Sequence, residues 1–141
     1  MRVLFIATFP AKHFQLYGET FIKKSEEVFQ ELNTLSHHSI SMEISIDDLD
    51  KINTNTIQNL KYVKLINYHS NLYKRNEFVE QVSVDDESDL DIAGDVAKQI
   101  IRWSFKGMMQ IHYLKFENQN YDYIIYIDAD TQFSKKLQIR I

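Results

Sequence analysis

The run Val3-Leu4-Phe5-Ile6-Ala7-Thr8-Phe9 constrains the fold more than any other part of this chain. It carries no charge, is rich in β-branched and aromatic residues, and does not alternate, which is the pattern of a strand covered on both faces. Pro10 follows and ends it, because proline has no N–H to give to a sheet. From Phe14 the spacing turns helical. Phe14, Tyr17, Phe21, Val28 and Leu32 share a stripe, and Lys23, Lys24, Glu26, Glu27 and Glu31 fall mostly opposite. Strand, short turn and long helix open a βαβ unit.

Ser39 to Ile46 alternates, with Ile40, Met42, Ile44 and Ile46 on one side, and reads as a half-buried strand. Asp47 to Thr56 is a polar loop. Tyr62 to Tyr68 fits either a short strand or a helix continuing from Ile57. Asp85 to Asp89 has the composition of a surface loop. Ile92, Val96, Ile100, Trp103, Met108, Ile111, Tyr113 and Leu114 follow helical spacing, with a break expected near Gly107. A second apolar strand, Tyr123 to Ile127, is expected beside the first in the centre of the sheet. The chain thus reads as one α/β domain over residues 1–141: a Rossmann-like, mostly parallel sheet flanked by helices. A chain of 141 residues is long enough to bury roughly two-thirds of its unfolded surface.

Charge and composition remove several classes of function. Sixteen basic against 20 acidic side chains give a net charge of -4, unlike the clustered basic surface of a nucleic-acid binder. Zero cysteine excludes disulfides, thiolate zinc sites and cysteine nucleophiles. Three glycines and no Gly-rich turn exclude P-loop and dinucleotide-binding motifs. Asp85, Glu87 and Asp89 begin like a calcium loop, but Leu90 stands where that loop requires glycine. No apolar stretch approaches the roughly 20 residues that span a bilayer. The expectation is a cytoplasmic protein with no transmembrane segment and no nucleic-acid partner.

The chemistry concentrates in Tyr121-Asp122-Tyr123-Ile124-Ile125-Tyr126-Ile127-Asp128-Ala129-Asp130-Thr131. Here an apolar strand runs directly into two carboxylates. In open α/β sheets ligands gather outside the carboxyl ends of strands. Carboxylates at alternate positions of a chain leaving a strand can face one way. Together they suit a hard divalent cation, Mg2+ or Mn2+, which completes its shell with water and substrate phosphates. A polar turn after the strand is the plainer reading of the same residues.

This segment resembles the Asp-x-Asp motif of GT-A-type, nucleotide-sugar-dependent glycosyltransferases. Arg102-Trp103-Ser104-Phe105-Lys106 is similar to the basic helix that precedes the motif strand in several such families. Ala7-Thr8-Phe9, followed by Phe14-Gln15-Leu16-Tyr17-Gly18, looks like their opening nucleotide-binding strand and first helix. The resemblance implies that Asp130 binds the metal and that Asp128 contacts the metal or the ribose. It also implies that Thr8 and Phe9 meet the nucleotide and that Arg102 and Lys106 meet its phosphates. The donor would be a nucleoside-diphosphate sugar, and the acceptor a saccharide, lipid or protein. The sequence continues for eleven residues after Asp130. The acceptor site and catalytic base of such enzymes lie further on, so the expectation is their N-terminal, donor-binding portion.

Two alternatives use the same residues. One is a nucleotide-binding remnant that turns nothing over. The other is a haloacid-dehalogenase-like phosphohydrolase, whose motif carries Thr two positions after the second Asp. Gln132 occupies that place here, and Thr131 follows Asp130 at once.

Overall fold

The computed structural model describes residues 1–67 and 106–133. The chain divides into two compact units, Met1–His69 with Asn118–Ile141, and Ser70–Glu117. The described residues of the first unit form four parallel strands: β1 (Arg2–Pro10), β2 (Ser39–Asp47), β3 (Val63–Asn67) and β4 (Tyr123–Tyr126). Their spatial order is β3-β2-β1-β4. This is an α/β, Rossmann-like sheet, as the alternation of apolar runs and helical spacing implies.

β1 is central and buried from Val3 through Ala7, so its unbroken apolar run is used on both faces. Val3, Phe5, Ala7 and Phe9 belong to the core that also contains Phe21, Ile22 and Phe29 of α1 (Glu19–Leu35). The rings of Phe5 and Phe29 lie 5.1 Å apart, which seats the helix on that face. α1 is preceded by a 3-10 turn over Ala11–His13 and a π-turn over Phe14–Gly18. The buried line of α1 is Phe21, Ile22, Ser25 and Phe29. Val28 and Leu32, expected in the same stripe, flank it half-buried.

β2 buries Ile40, Met42, Ile44 and Ile46 as the alternation requires, and Ser45 besides. Asn33 ties its start to α1. The Asn33 amide donates to the carbonyls of Phe29 and Ile40, and its oxygen accepts from the Ile40 N–H. The polar stretch after β2 contains two short 3-10 turns, Leu49–Lys51 and Thr54–Thr56. Within the Tyr62–Tyr68 run, Val63–Asn67 forms a strand, and Glu26 of α1 fixes where it begins. The Glu26 carboxylate accepts from the backbone N–H groups of Lys61, Tyr62 and Val63 at 2.8 to 3.2 Å.

β4 does pair with β1, in parallel, from Val3↔Tyr123 to Ile6↔Tyr126. It is nevertheless the outer strand among the described residues, not a central one. Tyr123 is 57% exposed and Ile125 is 39% exposed. Its composition thus resembles that of a two-sided core strand, although alternate side chains lie at the surface. In the second unit, residues 106–116 are helical, and the helical pattern expected before them, up to the break expected near Gly107, lies outside the described residues. Met109 and Tyr113, one turn apart, are buried, while Ile111, Leu114 and Phe116 are exposed. The loop expected over Asp85–Asp89 lies outside the described residues. Among the described residues no helix is long and apolar enough to cross a membrane.

Candidate functional site

The strand order places a reversal between β1 and β4. α1 leads from β1 to β2 on one side, while β4 joins β1 on the other. Such a switch point opens a crevice at the carboxyl ends of the two strands. Two structures converge there: the turns that follow β1, and the residues that leave β4. The last sheet bond of this pair is Ile127 N–H to the Ile6 carbonyl, at 3.0 Å. The chain then turns, with Thr131 N–H donating to the Asp128 carbonyl at 3.0 Å. Asp128 and Asp130 lie within this turn, and both are exposed.

Asp130 lines an open cavity of about 380 Å3. The opposite wall comes from the turn before α1 and its first residues, including Tyr17, Thr20 and Lys24. Thr131 and Phe133 extend the Asp130 side. Phe133 is anchored by stacking on Phe21, with ring centres 6.1 Å apart. The site-forming turn is therefore fastened to the same helix that supplies the facing wall.

Two phenols accompany the carboxylate pair. Tyr126 donates its hydroxyl to Asp128 Oδ1 at 3.0 Å. Burial first, then this bond and the fields of Asp128, Asp130 and Tyr17, push the Tyr126 phenol well above its ordinary range. Burial, followed by the fields of Asp130 and Asp128, also pushes the Tyr17 phenol up. The Tyr17 hydroxyl lies 2.9 Å from His13 Nδ1, in hydrogen-bond contact. Both phenols thus stay protonated and can donate, beside carboxylates that accept. Neither phenol is among the site residues expected from the sequence. The spacing of Tyr126 from Asp128, two positions along a strand, was the available signal.

The other expected site residues are placed differently. Thr8 lies two residues before the carboxyl end of β1, but its hydroxyl donates to the Ser45 carbonyl of β2 at 2.8 Å. Phe9 is 2% exposed, with its ring edge-on to Tyr17 at 6.0 Å, so it reaches the cavity wall through Tyr17. Arg102 lies outside the described residues. Lys106 is exposed on the helical segment of the second unit.

Two exposed carboxylates with an open cavity beside one of them fit a hard cation that keeps most of its shell for water and phosphate. They do not form an all-protein cage. Among the described residues no three His, Asp or Glu side chains come together as a metal-holding group. In comparisons with known proteins, no family model, no curated protein and no solved structure matches this chain.

Proposed function

We propose that this chain binds a nucleoside-diphosphate sugar at the carboxyl ends of β1 and β4, as the donor-binding part of a metal-dependent glycosyltransferase. The observation that carries the reading is the position of Asp128 and Asp130. Both leave the strand beside β1 at the switch point of a parallel sheet, where this architecture collects ligands. Asp130 and Asp128 would hold Mn2+ or Mg2+. When bound, such a cation offsets the charge that builds on a departing nucleoside diphosphate.

The residues of this chain have separable tasks in that reading. Asp130 presents its charge to the cavity, and Asp128 presents its own from a bond to Tyr126. Tyr17, Thr20 and Thr131 offer hydroxyls to the polar parts of a ligand, while Phe21 and Phe133 supply an apolar surface. Lys24 lines the same cavity and is paired with Glu27 at 2.7 Å, an exposed pair that a phosphate can exchange at little cost. The transferred sugar would pass to a saccharide, lipid or protein acceptor.

Asp130→Asn tests this directly, because it keeps the size of the side chain and removes its charge. Isothermal titration with UDP and with GDP, each with and without Mn2+, is the measurement. The expected outcome is metal-dependent binding in the wild type that weakens at least tenfold in the variant. The unfolding free energy from urea titration should change by no more than about 0.5 kcal/mol, as for surface substitutions. Equal affinities for protein and variant, with and without Mn2+, would reduce the pair to a strand-end turn.

A further inference from the structure

We infer that Glu27, which stands outside the cavity, restrains ligand binding by competing with the ligand's diphosphate for Lys24. This rests on the donor-site reading above and adds to it a residue that weakens the site. Tyr17, Thr20, Phe21 and Lys24 recur at i, i+3, i+4 and i+7 through the turn before α1 and its first residues, so they share the wall that faces Asp130. Lys24 ends this row. Among the described residues it is the one basic side chain that lines the cavity, and Asp130 is the one acidic side chain. A diphosphate held through a divalent ion keeps negative charge that the ion does not cancel. Lys24, on the wall opposite Asp130, is placed to meet that charge with a charge-assisted hydrogen bond.

The Lys24 ammonium is held one turn further along α1, where it donates to Glu27 Oε2 at 2.7 Å. Glu27 is not among the described residues that line the cavity. The two side chains are 61% and 65% exposed, so their pair is screened by water and weak. The flexible four-carbon stem of lysine lets the ammonium turn from one oxyanion to another. Binding a phosphate is therefore an exchange, in which Lys24 leaves one negative group for the next and the complex gains only the difference. Taking the charge off Glu27 removes the competitor. Glu27 also repels an anion through its field, but that effect does not pass through Lys24, and a cycle of substitutions separates the two. The adjacent pair, Lys23 with Glu19, has the same 2.7 Å separation, and Lys23 is not a lining residue, which makes it the natural control.

Glu27→Gln, Lys24→Gln, their double variant and Lys23→Gln, each in the full chain, are titrated with UDP and with GDP at saturating Mn2+. Calorimetry is the readout, and urea unfolding checks that these exposed changes leave the fold intact. Glu27→Gln should bind roughly two- to fivefold more tightly than the wild type, the range of an exposed ion pair. Lys24→Gln should bind about tenfold more weakly, the low end for loss of a hydrogen bond to a charged group. Once Lys24 is replaced, Glu27→Gln should change the affinity by less than about twofold, and Lys23→Gln should leave it unchanged. Three results would overturn the competition while leaving the donor site standing. They are no tightening in Glu27→Gln, equal tightening with and without Lys24, and a loss in Lys23→Gln as large as that in Lys24→Gln. If the wild type shows no Mn2+-dependent binding of UDP or GDP, the donor-site reading falls, and this inference with it.

Discussion

At the scale of single residues, the wall of the cavity depends on one missing side chain. A Cβ at Gly18 would lie 2.5 Å from Cε2 and 2.6 Å from Cζ of Phe9. Phe9 is 2% exposed and cannot simply step aside. Gly18→Ala is therefore expected to destabilise the protein by about 1–3 kcal/mol, the usual cost of overpacking a filled core. Combining it with Phe9→Leu should return part of that loss, as measured by urea midpoints. A midpoint unchanged by Gly18→Ala would mean that the ring has room the structure does not show. The backbone of Gly18 is ordinary for a helix, at φ -61. Nothing local marks the position, because the reason for glycine there lies nine residues back in β1. Phe9 itself is legible as a covered residue of the β1 run, but its close approach to Gly18 is not.

At the scale of elements, the third strand is held by a residue of the first helix. Glu26 is the acceptor for three successive backbone N–H groups at the entry to β3, one of them 37 positions away in the chain. Glu26→Ala should cost about 1.5–3 kcal/mol, as for hydrogen bonds to a charged group, and Glu26→Gln less, because one carbonyl oxygen remains to accept. Amide exchange at Val63 should accelerate more than exchange at Leu4 in β1. Equal protection in both variants would show that the strand is held by its ladder with β2 alone. This interaction also explains which elements could be read in advance. β1 and β2 announce themselves by long apolar or alternating runs. Tyr62 to Tyr68 is short, apolar and without period, so strand and helix fit it equally. What decides is a carboxylate on a distant helix. α1 was legible as a helix, but its inward line passes through Ser25, a polar residue buried at 0% exposure that hydropathy assigns to the outside.

At the scale of the whole molecule, stability should grade across the sheet. β1 lies between two strands, whereas β4 has one described neighbour and two exposed side chains on four residues. Native-state hydrogen exchange should therefore find β1 and β2 opening last and β4 first. Exchange as slow in β4 as in β1 would contradict this order. The Asp pair was legible because an apolar strand ending in carboxylates is a local signal. Its surroundings were not, since Tyr17, Thr20 and Lys24 come from a segment over a hundred residues away. That distance also has a kinetic meaning. Asp122 clasps the opposite end of the chain: its N–H donates to the Arg2 carbonyl at 2.8 Å, and its carboxylate accepts the Arg2 N–H at 2.6 Å, across 120 positions. β1, α1 and β2 can form early from neighbouring sequence, whereas docking β4 must close this long loop first. During synthesis the β1–α1–β2 layer can thus take shape while Asp128 and Asp130 are still unmade. The carboxylate pair arrives at its crevice only when the fourth strand zips onto the first, so any ligand that needs both acids reports on completion of the sheet.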